Sequence, residues 1–187
     1  MAPAHIAGSS LTSLSSTRVA SSRRSFLFGR TRATDSVLRP PWAAEGDFAA
    51  RCTRCARCIE ACPTAILVRM DGGFPGVDFT RGECTFCARC VAVCEPQALH
   101  RTDPGSLPWA RVAAIGADCL AGRGVECRVC GESCPAAAIR FRPRLGSVAF
   151  PELDAAACTA CGACIGPCPT RAIDTRARNP LPTESER

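Results

Sequence analysis

Two short stretches of this chain read as strands that double back, one announced by its turn residues and one by alternation of apolar and polar positions. Positions 66–70 and 74–79 flank Asp71-Gly72-Gly73, a turn sequence whose glycines accept positive φ, which predicts a hairpin. Ile139, Arg140, Phe141 and Arg142 alternate apolar with charged, the chain turns over 143–147, and apolar positions resume at 148–150, predicting a second hairpin. The stretch 95–118 differs: Asp103-Pro104-Gly105 and Pro108-Trp109 interrupt it, and 111–115 read as a short helix without alternating partner strands. It is therefore read as a linker between units at about 45–103 and 112–176. Residues 1–38 are rich in Ser, Thr, Ala and Arg, with Asp35 the first acid, which predicts a disordered or processed segment. The resulting division is a leader over 1–42, units over 43–105 and 106–178, and a tail over 179–187.

Both units are too small to be held mainly by apolar burial, which scales poorly in short chains. Sixteen of the 187 residues are cysteine, and they fall into four runs. Three have the spacing CxxCxxCxxxC: Cys52, Cys55, Cys58, Cys62; Cys84, Cys87, Cys90, Cys94; and Cys158, Cys161, Cys164, Cys168. In the remaining run seven residues separate Cys119 from Cys127, after which Cys130 and Cys134 resume the pattern. Within five residues of each run's last cysteine comes an apolar position, Leu67, Leu99, Ile139 or Ile173, predicting a strand at a fixed offset.

CxxCxxCxxxC followed by proline is the spacing of bacterial ferredoxins, in which the fourth cysteine ligates the neighbouring cluster. Three cysteines at intervals of three wrap a loop around one iron-sulfur cube, and the fourth starts a helical turn that reaches across. Proline follows Cys62, Cys134 and Cys168 directly, whereas the second run continues Cys94-Glu95-Pro96. The expectation is an α+β fold of two tandem bacterial-ferredoxin-like modules, small hairpins and short helices around four [4Fe-4S] clusters. Pairing neighbouring runs assigns Cys52, Cys55, Cys58 and Cys94 to one cluster and Cys84, Cys87, Cys90 and Cys62 to the next. In the second unit Cys119, Cys127, Cys130 and Cys168 would hold one cube and Cys158, Cys161, Cys164 and Cys134 the other. A nested pairing, first run with fourth and second with third, stays open at this level.

Zinc sites favour CxxC pairs separated by a longer spacer, and disulfides need an oxidising compartment. Sixteen cysteines in quadruplets fit neither, nor a thioredoxin-like CxxC. The formal charge of +6 comes entirely from arginine and counts every cysteine as neutral. With four oxidised clusters at about −2 each, the loaded protein would fall to about −2, so the basicity is no argument for nucleic acid. No stretch approaches the roughly 20 apolar residues of a membrane-spanning helix. His5 and His100 are expected at the surface or in packing, Trp42 and Trp109 as packing anchors beside the clusters, and Arg140, Arg142 and Arg144 on the solvated face of a strand. Neither a nucleotide-binding glycine loop nor a nucleophile with its base is present, so no substrate-converting site is expected.

Ser22-Arg23-Arg24-Ser25-Phe26-Leu27 reads like a twin-arginine export signal, but the chain continues Phe28-Gly29-Arg30-Thr31-Arg32 instead of an apolar stretch. Read with Gly29-Arg30, Arg39-Pro40-Pro41-Trp42, Cys52-Thr53-Arg54-Cys55, Val125-Glu126-Cys127-Arg128 and Ile139-Arg140-Phe141-Arg142-Pro143, it resembles the NapF family. These are ferredoxin-type accessory proteins of the periplasmic nitrate reductase system. The resemblance covers about residues 22–176, and residues 1–20 extend beyond the family pattern. It implies a cytoplasmic, non-enzymatic [4Fe-4S] protein whose partner is the precursor of the catalytic nitrate reductase subunit. The implied role is maturation of that subunit, by cluster insertion or electron supply before export. A general polyferredoxin carrier serving other redox partners is the alternative.

Overall fold

A computed structural model describes residues 37–44 and 46–178. His5, the paired arginines at 23 and 24, and the tail over 179–187 lie outside the described residues.

Both hairpins form. Strand β1 (Leu67–Arg69) pairs antiparallel with β2 (Pro75–Val77), Leu67 opposite Val77. The connection is a tight turn over Asp71–Gly73 in which Gly72 and Gly73 adopt φ of 74° and 79°, a region costly to side chains with a β-carbon. Farther along, β4 (Ile139–Arg144) pairs with β5 (Ser147–Leu153), Ile139 opposite Leu153. The register shifts between Arg142 and Arg144, around Pro143, which has no N–H to give the ladder. Among the described residues four single-turn helices, α1 (Phe48–Arg51), α2 (Arg57–Glu60), α3 (Arg89–Ala92) and α4 (Val129–Glu132), are far too short to stand alone. Their stability must come from what they pack against.

Two expectations are corrected. The helix read over 111–115 is a strand: β3 (Arg111–Ile115) pairs antiparallel with β6 (Ile173–Ala177), Ile115 opposite Ile173. Val112 and Ala113 are buried there, and cross-strand packing decides the conformation of a short β-branched segment. Leu99 begins no strand and makes an isolated antiparallel bridge with Ala43. Trp42 and the stretch 106–109 are tied together by hydrogen bonds. The Trp42 N–H donates to the Pro108 carbonyl at 3.1 Å and its indole N–H to Ser106 O at 3.2 Å. In return, the Trp109 indole donates to Arg39 O at 2.9 Å. Each indole thus satisfies its one polar atom while burying its ring, as a packing anchor requires.

Two cores result. Trp42, Phe48, Ile66, Leu67, Phe79, Leu99 and Trp109 belong to the first. Val112, Ala113, Ala138, Ile139 and Ile173 form the second. Arg140 and Arg142 are exposed on β4, Arg142 paired with Glu152 at 3.1 Å, while Arg144 stacks over Phe150 at 4.0 Å. His100 is exposed, and its backbone N–H donates to Trp42 O.

Candidate iron-sulfur centres

The backbone of the cysteine loops is bent into left-handed conformations at repeating positions. Arg54 and Ala56 flank Cys55, Phe86 and Ala88 flank Cys87, and Ala160 and Gly162 flank Cys161, all with φ between 55° and 85°. A residue in this region costs about 1–2 kcal/mol when it carries a β-carbon, so these turns are held against a local preference. They reverse the chain at successive residues and aim the sulfurs of each run inward. The third run differs: Arg128 has φ −126°, and the longer spacer, with Gly124 at φ 80°, lets the chain curl without that pair of strained residues.

A second turn follows each run. Three residues past its last cysteine, Ala65, Gln97, Ala137 and Arg171 have φ of 53°, 53°, 47° and 51°. The turn swings the next backbone N–H groups over the sulfur. Leu99 N–H donates to Cys94 Sγ, Ala138 N–H to Cys134 Sγ and Ala172 N–H to Cys168 Sγ, each at 3.3 Å. Strand β3, misread as a helix, delivers Ala113 N–H to Cys158 Sγ at 3.5 Å. Such donors stabilise negative charge on sulfur.

Sixteen free thiols surround four voids, four to each. Cys52, Cys55, Cys58 and Cys94 line one of about 350 Å³. Cys62, Cys84, Cys87 and Cys90 line the next, of about 320 Å³. In the second half Cys119, Cys127, Cys130 and Cys168 share a void of about 340 Å³. The fourth, of about 380 Å³, is lined by Cys134, Cys158, Cys161 and Cys164. Every void takes three cysteines from one run and the last cysteine of its neighbour in the same half. This is the arrangement that neighbouring runs imply, and no void combines the halves as nesting would require.

As bare thiols these groups are poorly placed to ionise. Burial, reinforced by neighbouring cysteines, pushes Cys58, Cys84 and Cys130 up to about 11, and Cys90 and Cys164 up to about 12. Two depart in the other direction. Burial raises Cys62, but the Leu67 N–H, the Thr64 hydroxyl at 3.6 Å and the Ile66 N–H outweigh it and leave the thiol below its ordinary value. Exposed Cys55 is lowered by the Arg57 side chain, which also pairs with Glu95. Thr64 and its counterpart Thr170, 3.8 Å from Cys168 Sγ, went unnoticed in the sequence, although Cys-Pro-Thr recurs in the first and fourth runs. Arg178, also missed, ties Cys158 O at 2.5 Å and Ala155 O to the end of β6.

Residues 51–99 match a 4Fe-4S dicluster domain model and residues 124–172 match another. The ferredoxin-type protein NapF of Haemophilus influenzae is 50% identical over 137 residues, 73% of this chain and 77% of that protein. NapF of Escherichia coli strain K12 is 43% identical over 157 residues, covering 83% and 94%. The chain belongs to the NapF family of ferredoxin-type proteins. The methylamine utilization ferredoxin-type protein MauM of Methylobacillus flagellatus is more distant, 34% identical over 147 residues, 69% of this chain and 62% of that protein.

As a NapF-family protein with two dicluster domains, the chain carries four [4Fe-4S] clusters. Its donor sets fit them. Among the described residues no three His, Cys, Asp or Glu side chains converge as around a single ion; the sulfurs ring wide voids instead. The linings are mainly apolar, with Phe48 and Leu99 at the first void and Ile139 and Leu153 at the fourth. Among the described residues no polar or charged residue is fully buried, and the polar side chains at the linings are chiefly threonines such as Thr64 and Thr170. The second family match begins at residue 124 and omits Cys119, yet Cys119 lines the same void as Cys127, Cys130 and Cys168.

Proposed function

We propose that this protein is a cytoplasmic, non-enzymatic maturation factor for the catalytic subunit of a periplasmic nitrate reductase, acting on the precursor before export. The observation that carries the reading is the 43% identity that spans 94% of Escherichia coli NapF. In this reading the four voids are the ligand sets: Cys52, Cys55, Cys58, Cys94; Cys62, Cys84, Cys87, Cys90; Cys119, Cys127, Cys130, Cys168; and Cys134, Cys158, Cys161, Cys164. The clusters supply one-electron chemistry. The chain's own contribution is to hold the thiolates, shield them with apolar side chains and direct N–H groups at sulfur, which together set potential. Maturation then proceeds by electron supply to the precursor or by support of its cluster insertion. Among the described residues no helix is long and apolar enough to cross a membrane.

Deleting the gene should leave the exported catalytic subunit deficient in iron, or reduce its export. A fully loaded, normally exported subunit in the deletion strain would overturn the proposal. A second reading, a general electron carrier, is favoured by one observation: relatives with 34% and 30% identity bear a methylamine utilization name rather than NapF. Anaerobic affinity capture separates the two. A maturation factor retains the reductase precursor, whereas a general carrier exchanges electrons with a donor without a stable precursor complex.

A further inference from the structure

The two halves meet through residues of the cluster loops themselves. The Cys84 N–H donates to the Cys161 carbonyl at 2.8 Å. Cys84 lines the second void and Cys161 the fourth, so one hydrogen bond joins the walls of two sites in different halves. Beside it, Phe79 lies on Gly162, whose φ is +85° and where any β-carbon would fall inside the ring's van der Waals envelope. A β-carbon at Gly166 would be 3.2 Å from the Phe79 carbonyl oxygen. The Phe79 ring also meets Trp109 edge-on, with centroids 5.7 Å apart and an interplanar angle of 79°. Ala160 is buried in the first core, and Ile165 packs against both cores.

A second observation agrees. Cys55 and Cys87, the second cysteines of the first two runs, are exposed, and Cys127 is half-buried. Their counterpart Cys161 is buried, because the loop over 160–166 is seated on the first half instead of on solvent.

From this geometry we propose that residues 79–84 and 160–166 form a built junction that holds the second and fourth sites as direct neighbours across the two halves. The four sites then stand in one series. The voids of Cys52, Cys55, Cys58, Cys94 and of Cys119, Cys127, Cys130, Cys168 lie at its ends, and the Cys84–Cys161 bond lies at its middle. Phe79 is a positioning residue: it lines no void and is seated on Gly162, which lines the fourth. Phe79, Cys161 and Gly162 are buried at this contact, so charge on one inner site is felt at the other more strongly than two solvated modules would allow. The inference rests on the reading that the voids hold clusters, and its test distinguishes the two.

The experiment is pulsed dipolar electron paramagnetic resonance on full-length, anaerobically purified, dithionite-reduced protein, with iron counted on the same sample. Iron-replete wild type should show all its spins in one coupled network. Phe79→Ala, which removes the seated ring, should lose coupling between the halves while keeping coupling within each half. Iron per chain should be unchanged. Should the variant lose iron, the wild type decides alone, because a network and two isolated pairs give different modulation depths. Isolated pairs in iron-replete wild type would overturn the junction and leave the cluster reading intact. Wild type purified without iron would overturn the cluster reading itself.

Discussion

Ala137 and Ala138 are adjacent, and glycine should move them in opposite directions. Ala137 is exposed and held at φ 47° by the turn behind Cys134. A left-handed residue with a β-carbon costs about 1–2 kcal/mol. Glycine removes that strain but adds about 0.5–1 kcal/mol of unfolded-state freedom. Ala137→Gly should therefore stabilise by about 0.5–1 kcal/mol. Ala138 is fully buried with ordinary backbone, and its N–H is the one that meets Cys134 Sγ. There, glycine gains nothing and loses about 0.8 kcal/mol of methyl burial as well as the same unfolded-state freedom, for a loss of about 1.5 kcal/mol. Unfolding releases iron irreversibly, so the assay is the anaerobic bleaching rate in denaturant. Ala137→Gly should slow bleaching by about two- to five-fold and Ala138→Gly should accelerate it, if the change falls on the unfolding barrier. Equal acceleration by both variants would refute the claim that the turn behind each cysteine run is strained.

Trp109→Ala should cost about 3–5 kcal/mol, since it removes a buried ring, the bond to Arg39 O and the edge contact to Phe79, whereas Trp109→Phe should cost clearly less. Denaturant midpoints measured without oxygen check both. A pH dependence follows from the thiols raised to about 11 and 12: in the metal-free fold Cys58, Cys90, Cys130 and Cys164 carry protons at neutrality, and iron must displace them. Reconstitution should release protons and become more complete as pH rises from about 7 towards 9, and acid should favour cluster loss; the visible absorbance of the clusters, followed across that range, reads this directly.

Local signals were legible in the sequence and long-range ones were not. The Asp71-Gly72-Gly73 turn and the alternation over 139–142 announced two hairpins because register there is fixed by neighbouring residues. Strand β3 gave no such sign: its partner begins 58 residues later, counting from Ile115 to Ile173, and Arg111-Val112-Ala113-Ala114-Ile115 lacks clean alternation. The packing partners of Trp109, Arg39 and Phe79, were hidden for the same reason, being remote in sequence. Spacing grouped the sixteen cysteines into four runs, Cys119 included, and the same sixteen line the four voids. What spacing could not supply is the donor side of each sulfur, where Thr64, Thr170 and the backbone N–H of Ala113 depend on turns and pairings that emerge only on folding.

Strained cysteine loops, single-turn helices and buried thiols share one explanation, that cluster ligation supplies free energy that this small fold otherwise lacks. The direct measurement is iron and acid-labile sulfide per chain on anaerobically purified, full-length protein, read together with far-ultraviolet circular dichroism before and after chelation. About sixteen of each per chain, with loss of ordered structure as the iron is stripped, is the expected result. A colourless chain that keeps its fold would contradict the account.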